Sequence, residues 1–167
     1  YTAGFSVYAA LGGAHETISV DVSAGALATA RRNFEANRIP LTHHSFVDQD
    51  VFNYLENCLK EKQMFEVIIL DPPAFVKNQR SLEKGLAGYL FINEKALKLL
   101  PSGGILVSSS CSSHVSDEMF VKTLIRAAQR TGSTLKCLEI RHQPPDHPYN
   151  LDFPEGRYLK FYVMEKS

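Results

Sequence analysis

The chain has 167 residues, 44% hydrophobic and 22% charged, the size and composition of one globular domain with a sizeable core. Eighteen basic residues balance eighteen acidic ones, so the domain lacks the broad positive field of a protein that grips nucleic acid through many phosphates. Nothing reads as a signal peptide and no apolar run approaches the roughly 20 residues that span a bilayer, which argues against a membrane partner and makes the cytoplasm the expected location.

Taken in chain order, Phe5 to Ala14 carries apolar residues at helical spacing and stops at Gly12-Gly13, before the β-branched run Thr17 to Val22 predicts a strand. Ser23 can cap the next helix, whose inner face is Leu27, Ala30 and Phe34, with Arg31 and Arg32 turned to solvent and an end near Asn37 and Pro40. Leu41 to Val47 is expected as a strand. Asp50 then caps a helix facing inward through Val51, Phe52, Leu55, Cys58 and Leu59.

Phe65 to Leu70 is a nearly continuous apolar run, as in a strand covered on both faces of a parallel sheet, and Pro72-Pro73 stop it. Leu82 to Leu100 has helical periodicity, Gly103-Gly104 close it, and Ile105 to Ser109 is a second buried strand. Ser116, Asp117 and Glu118 start a helix with Phe120, Val121, Leu124 and Ala128 inside, ended by Gly132. Thr134 to His142 and Tyr158 to Lys166 alternate as strands, and the link between them is too short for a crossover helix, so they should pair antiparallel. The fold expected is α/β: a Rossmann-like, doubly wound, mostly parallel sheet with an antiparallel C-terminal strand pair.

Ligands of such sheets bind beyond the carboxyl ends of the strands. Four edges stand out. Tyr1-Thr2-Ala3-Gly4 is a small-residue turn into a helix, which can aim backbone N–H groups at a polar ligand. Asp21, followed by Val22, can accept both hydroxyls of a ribose. Asp50 with Val51 can receive an adenine amino proton and cover the ring, although a plain helix cap explains Asp50 equally well. Asp71-Pro72-Pro73-Ala74-Phe75 sets a carboxylate on a rigid turn, with Phe75 as a stacking face for an extruded base.

The next strand runs into Ser108-Ser109-Ser110-Cys111-Ser112-Ser113-His114, at the same edge as Asp71. On spacing alone Cys111 reads equally as a nucleophile or an inert thiol; near the N-terminus of the helix from Ser116, a thiolate would be stabilised. Cys58, Cys111 and Cys137 are odd in number and form no CxxC pair, which argues against disulfides and structural zinc; no metal is expected. His114 reads as a surface residue. Lys77, Arg80 and Lys84 can touch phosphates, but Glu83 intervenes and such runs are usually solvated faces.

Six segments in order, YTAGFSVYAALGGA, VDVS, DVFNYL, ILDPPAF, GGILVSSSCS and DHP…PEGRYLK, resemble the class I methyltransferase domain of the bacterial family that forms 5-methylcytosine in large-subunit ribosomal RNA. The resemblance covers almost the whole chain. It implies S-adenosyl-L-methionine as cofactor, held by Tyr1, Thr2, Ala3, Gly4, Asp21, Val22, Asp50, Val51, Asp71 and Pro72, with Cys111 and Asp71 catalytic. It also implies RNA as partner; a homodimer is compatible with it.

Two departures qualify the resemblance. Ala3 stands where the family has glycine, which a negative φ would tolerate. The chain opens as though leaving a strand, so it is expected to be truncated at its N-terminus, with the first strand and an RNA-binding domain ahead of residue 1. Two other RNA readings stay open, methylation of guanine or another position and a non-catalytic cofactor-binding fragment. A nicotinamide oxidoreductase is disfavoured because the chain has no GxGxxG fingerprint.

Overall fold

The structure is a computed structural model that describes residues 1–153 and 156–167; Pro154 and Glu155 of the PEGRYLK segment lie outside them. It divides into two compact units, Tyr1–Asn57 and Cys58–Ser167.

In the first unit α1 (Gly4–Leu11) leads to β1 (Thr17–Asp21), α2 (Ala24–Ala36), β2 (His44–Asp48) and the start of α3 (Val51–Lys60). Strands β1 and β2 run parallel, with Thr17 opposite His44 and Asp21 opposite Asp48. Ser23 caps α2 as expected, its side chain accepting from the Ala26 N–H. The core is Val7, Leu27, Ala30, Phe34 and Phe46, and the Phe34 and Phe46 rings meet edge to face at 5.2 Å. The Arg31 guanidinium lies over the Phe46 ring at 4.8 Å, so this exposed arginine packs its head on the sheet.

The strand expected from Leu41 begins only at His44. Pro40 is extended, and Leu41–His43 wind into a single 3-10 turn ahead of β2.

The second unit holds the rest of α3, then β3 (Val67–Leu70), α4 (Leu82–Leu99), β4 (Ile105–Ser110), α5 (Asp117–Thr131), β5 (Leu135–Arg141) and β6 (Lys160–Lys166). The sheet order is β3-β4-β6-β5: β3 and β4 are parallel, and β6 pairs antiparallel with both β4 and β5. The α/β architecture, with parallel pairing and an antiparallel C-terminal strand pair, is as expected.

Strand β4 is buried along almost its whole length and α4 buries Tyr89, Leu90, Asn93 and Leu97, the periodic residues of its sequence. Cys58 is a core residue, 2% exposed. Strand β3 departs from expectation. It ends the described sheet, and Val67 and Ile69 on one face are exposed, so it is not covered on both faces. Its first two predicted residues bond outside the ladder, the Phe65 N–H to the Leu99 carbonyl and the Glu66 carbonyl from the Ile105 N–H.

Candidate active site

The first unit gathers its predicted residues at the carboxyl edge of β1 and β2. Asn33 of α2 donates to the Thr2 carbonyl at 2.9 Å, pinning the loop ahead of α1. That helix starts without a side-chain cap, so the N–H groups of its first turn keep no side-chain acceptor of this kind. Apart from its chain neighbours and the helix's own backbone, nothing lies within 4 Å of where a Cβ on Gly4 would stand. The Asp21 carboxylate accepts the Ser23 N–H at 2.8 Å through Oδ1, and its Oδ2 lies 3.2 Å from the Tyr1 nitrogen. Val22 follows it, 68% exposed.

Ala3 does not meet the condition under which an alanine would be tolerated freely, a negative φ. It sits at φ 59°, ψ 33°, the left-handed region, which costs an L residue roughly 1–2 kcal/mol. Its side chain packs against the Val7 cluster, which offsets part of that cost. Asp50 takes the capping role, its Oδ1 accepting the N–H groups of Phe52 at 2.9 Å and Asn53 at 3.3 Å, with Val51 beginning the helix.

In the second unit Asp71 and Cys111 stand at the ends of the paired strands β3 and β4. Asp71 is exposed, and its Oδ1 accepts a 2.5 Å hydrogen bond from Ser109. The Cys111 sulfur lies 3.9 Å from the Pro72 carbonyl and is partly exposed. Its neighbours hold it there. Ser110 and Ser112 are buried and both bond to the Tyr89 hydroxyl at 3.0 Å, while the Val76 N–H donates to Ser112 Oγ at 3.2 Å.

The Asp-Pro-Pro loop is moulded on α4. A Cβ on Gly85 would come within 2.3 Å of Val76, and one on Gly88 within 3.1 Å of the Phe75 ring. Phe75 also meets the Tyr89 ring at 4.8 Å. The half-buried aromatic therefore packs onto the helix, which anchors the loop.

Lys160 is the functional candidate that the sequence reading missed. It is 3% exposed, and its ammonium donates to the Ser112 and Tyr158 carbonyls, both at 2.7 Å. The signal was present: β6 buries alternate residues, and Lys160 shares that face with Tyr162 and Met164. A lysine on the buried face of an alternating strand needs partners.

The electrostatics around Cys111 run against a resting thiolate. Burial pushes the thiol up and the Asp71 carboxylate pushes it further, while Lys160 pulls it down by less. The sulfur therefore rests as a thiol that loses its proton more readily as pH rises. Burial also lowers Lys160, opposed by Asp117 and Cys111. His114 is exposed, as read from the sequence, and so are Lys77, Arg80 and Lys84.

Beyond β5, a cavity of about 360 Å³ is lined by His147, Pro148, Tyr149, Asn150, Phe153 and Tyr158. Tyr158 ties it to the Cys111 loop through the shared Lys160 ammonium. Among the described residues, no helix is long and apolar enough to cross a membrane.

Known proteins resemble this chain in sequence and fold. The chain is 41% identical over 160 residues to ribosomal RNA large subunit methyltransferase I of Cronobacter sakazakii and 42% identical to that of Salmonella arizonae, in each case over 96% of this chain and 40% of the relative. It thus spans about 40% of the length of these curated relatives. A crystal structure of a putative methyltransferase complexed with SAH superposes with a TM-score of 0.86 and 29% identity, over 99% of this chain and 43% of that one. The profile of the S-adenosylmethionine-dependent methyltransferases matches residues 1–160, and the chain belongs to that family.

Proposed function

We propose that this chain is the catalytic part of a longer enzyme that methylates C5 of cytosine in ribosomal RNA through a covalent cysteine adduct. The observation that carries the reading is the placement of Cys111 and Asp71 on adjacent strand ends, each fixed by its own hydrogen bonds. The names of the long relatives support the RNA class, and their greater length supports an RNA-binding portion elsewhere in the protein.

The first unit fits the cofactor. An uncapped helix start beside open space at Gly4 suits its carboxylate, and the half-buried Asp21 at a strand end suits a ribose. Tyr1 to Gly4, Asp21 and Val22 would hold it. Asp50 with Val51 completes the assignment within this unit. When bound, S-adenosylmethionine supplies the electrophilic methyl group.

The protein's own task is to activate the ring, because cytosine C5 is a poor nucleophile. The Cys111 thiol loses its proton and the thiolate adds to C6, placing the electron pair at C5 and the ring. Asp71 faces the N3 and amine edge and, in its protonated form, donates to N3, so the negative charge that accumulates as the thiolate adds is neutralised there. After methyl transfer, water or the Asp71 carboxylate takes the C5 proton, and its bonding pair re-forms the C5–C6 double bond as the C6–S bond breaks and the thiolate leaves. The aromatic cavity of Tyr149, Phe153 and Tyr158 receives an unstacked base beside the target.

The test is incubation of the full-length protein with unmethylated ribosomal RNA and labelled S-adenosylmethionine, with nucleosides read by mass spectrometry. The expected product is 5-methylcytosine; a methylated purine as the sole product would sink the assignment.

The raised thiol gives a second expectation, measured without turnover. With Cys137 replaced by serine, alkylation of Cys111 accelerates as pH rises, since only the thiolate reacts. Asp71→Asn removes a charge that holds the thiol up, so the whole profile moves to lower pH. At a fixed pH on its rising limb the rate should therefore grow. An unmoved profile means Asp71 does not act on the sulfur.

A further inference from the structure

We propose that His15, Glu16 and His43 form a binding site for a divalent transition-metal ion, at the end of β1 and β2 opposite to Asp21. His15 and Glu16 immediately precede β1, and His43 immediately precedes β2. The parallel register that sets Thr17 opposite His44 brings these two entries side by side.

One ligating atom from each of the three side chains lies within 4.8 Å of the others. The His15 and His43 rings are 4.7 Å apart, centre to centre, with their planes tilted by 39°. His15 Nδ1 is 3.8 Å from Glu16 Oε1. All three side chains are exposed, so an ion can reach them from solvent and they can close the remaining distance by rotating.

The donor chemistry is selective. Two imidazoles and one carboxylate suit Zn²⁺, Ni²⁺ or Cu²⁺, with water in the remaining positions, whereas Mg²⁺ and Ca²⁺ favour sets made of oxygen. With both imidazoles neutral the cluster carries one negative charge, complementary to a dication.

His44 flanks the site without joining it. Its Nδ1 hydrogen-bonds to Thr17 Oγ1 at 2.9 Å and its ring packs 4.9 Å from Phe34. Burial, then the neighbouring His43 and His15, holds His44 below its ordinary range.

A bound ion would tie the loop that follows α1 to the turn that follows α2. It would then stabilise the protein by mass action, in proportion to the logarithm of its concentration.

The test uses untagged protein with Cys137 replaced by serine, titrated with ZnCl₂ by calorimetry and with CuCl₂ by electron paramagnetic resonance. One Zn²⁺ per chain and copper hyperfine structure from two imidazole nitrogens are expected. His43→Ala should weaken Zn²⁺ at least about tenfold and leave one nitrogen. Glu16→Gln, the milder change, should weaken Zn²⁺ while keeping both nitrogens. His114→Ala should change neither. Circular dichroism checks that each variant is folded. If no Zn²⁺ binds at millimolar concentration, or if folded His43→Ala and Glu16→Gln both bind as wild type does, the ion has no site here and the inference is wrong.

Discussion

Replacing Cys111 by alanine should abolish the proposed 5-methylcytosine formation, with an expected rate loss of at least about 10⁴-fold, while binding of S-adenosylmethionine measured by calorimetry should stay unchanged within about twofold. The size follows from the role assigned to the sulfur. Without addition at C6 there is no electron pair at C5 to methylate, and no neighbouring group replaces it, because Ser110 and Ser112 are turned inward onto Tyr89. RNA carrying 5-fluorocytosine at the target separates chemistry from folding. It should stay covalently attached to the wild-type protein, because fluorine cannot leave as the proton does, and should form no adduct with Cys111→Ala. A variant that methylates as fast as wild type would remove the covalent mechanism and leave the fold and cofactor class standing.

Lys160→Met should lower stability by about 2–3 kcal/mol, because two carbonyls lose a charged donor inside the protein while methionine refills the aliphatic volume. For a chain of this size that is a fall in Tm of roughly 5–10 °C. The same substitution removes the cation that pulls the Cys111 thiol down, so alkylation of Cys111 should shift to higher pH, opposite to Asp71→Asn. The opposed shifts are the decisive readout. A lysine that merely fills space would lower Tm and leave the alkylation profile where it was, and then its role beside the nucleophile would be excluded.

The elements that the sequence revealed are those whose boundaries rest on local chemistry. Ser23 and Ser116 cap helices as read, accepting from Ala26 and Met119, and Gly132 ends α5 in the left-handed conformation at φ 65°. Local chemistry also misled at Leu41, where a polar-apolar alternation is a 3-10 turn because the extended Pro40 redirects the chain. It misled at β3 too, since hydrophobicity does not reveal which face of a strand stays exposed.

In the candidate site, the position of Asp71 and Cys111 was legible because both lie where a strand stops. Their supports were not. Ser109, Tyr89 and Lys160 reach the site from 38, 22 and 49 positions away in the chain from Asp71 or Cys111, counting Asp71 to Ser109, Tyr89 to Cys111 and Lys160 to Cys111. Pairing over such separations is decided by sheet order and helix packing. The conformation of Ala3 was hidden for a related reason, since a single residue's φ depends on the loop it closes.

The bare stretch of α4 at Gly85 and Gly88 limits how this active site can be re-engineered. Val76 and Phe75 occupy the space that side chains at those two positions would need. The loop that carries Asp71 and the helix behind it thus form a matched pair, like a casting and its mould. Transplanting the five residues from Asp71 to Phe75 into another scaffold would fail to reproduce their path unless both glycines travelled with them. A library that varies the loop while holding the helix fixed should therefore return few folded members with bulkier residues at 75 and 76, and randomising the two segments together would recover more.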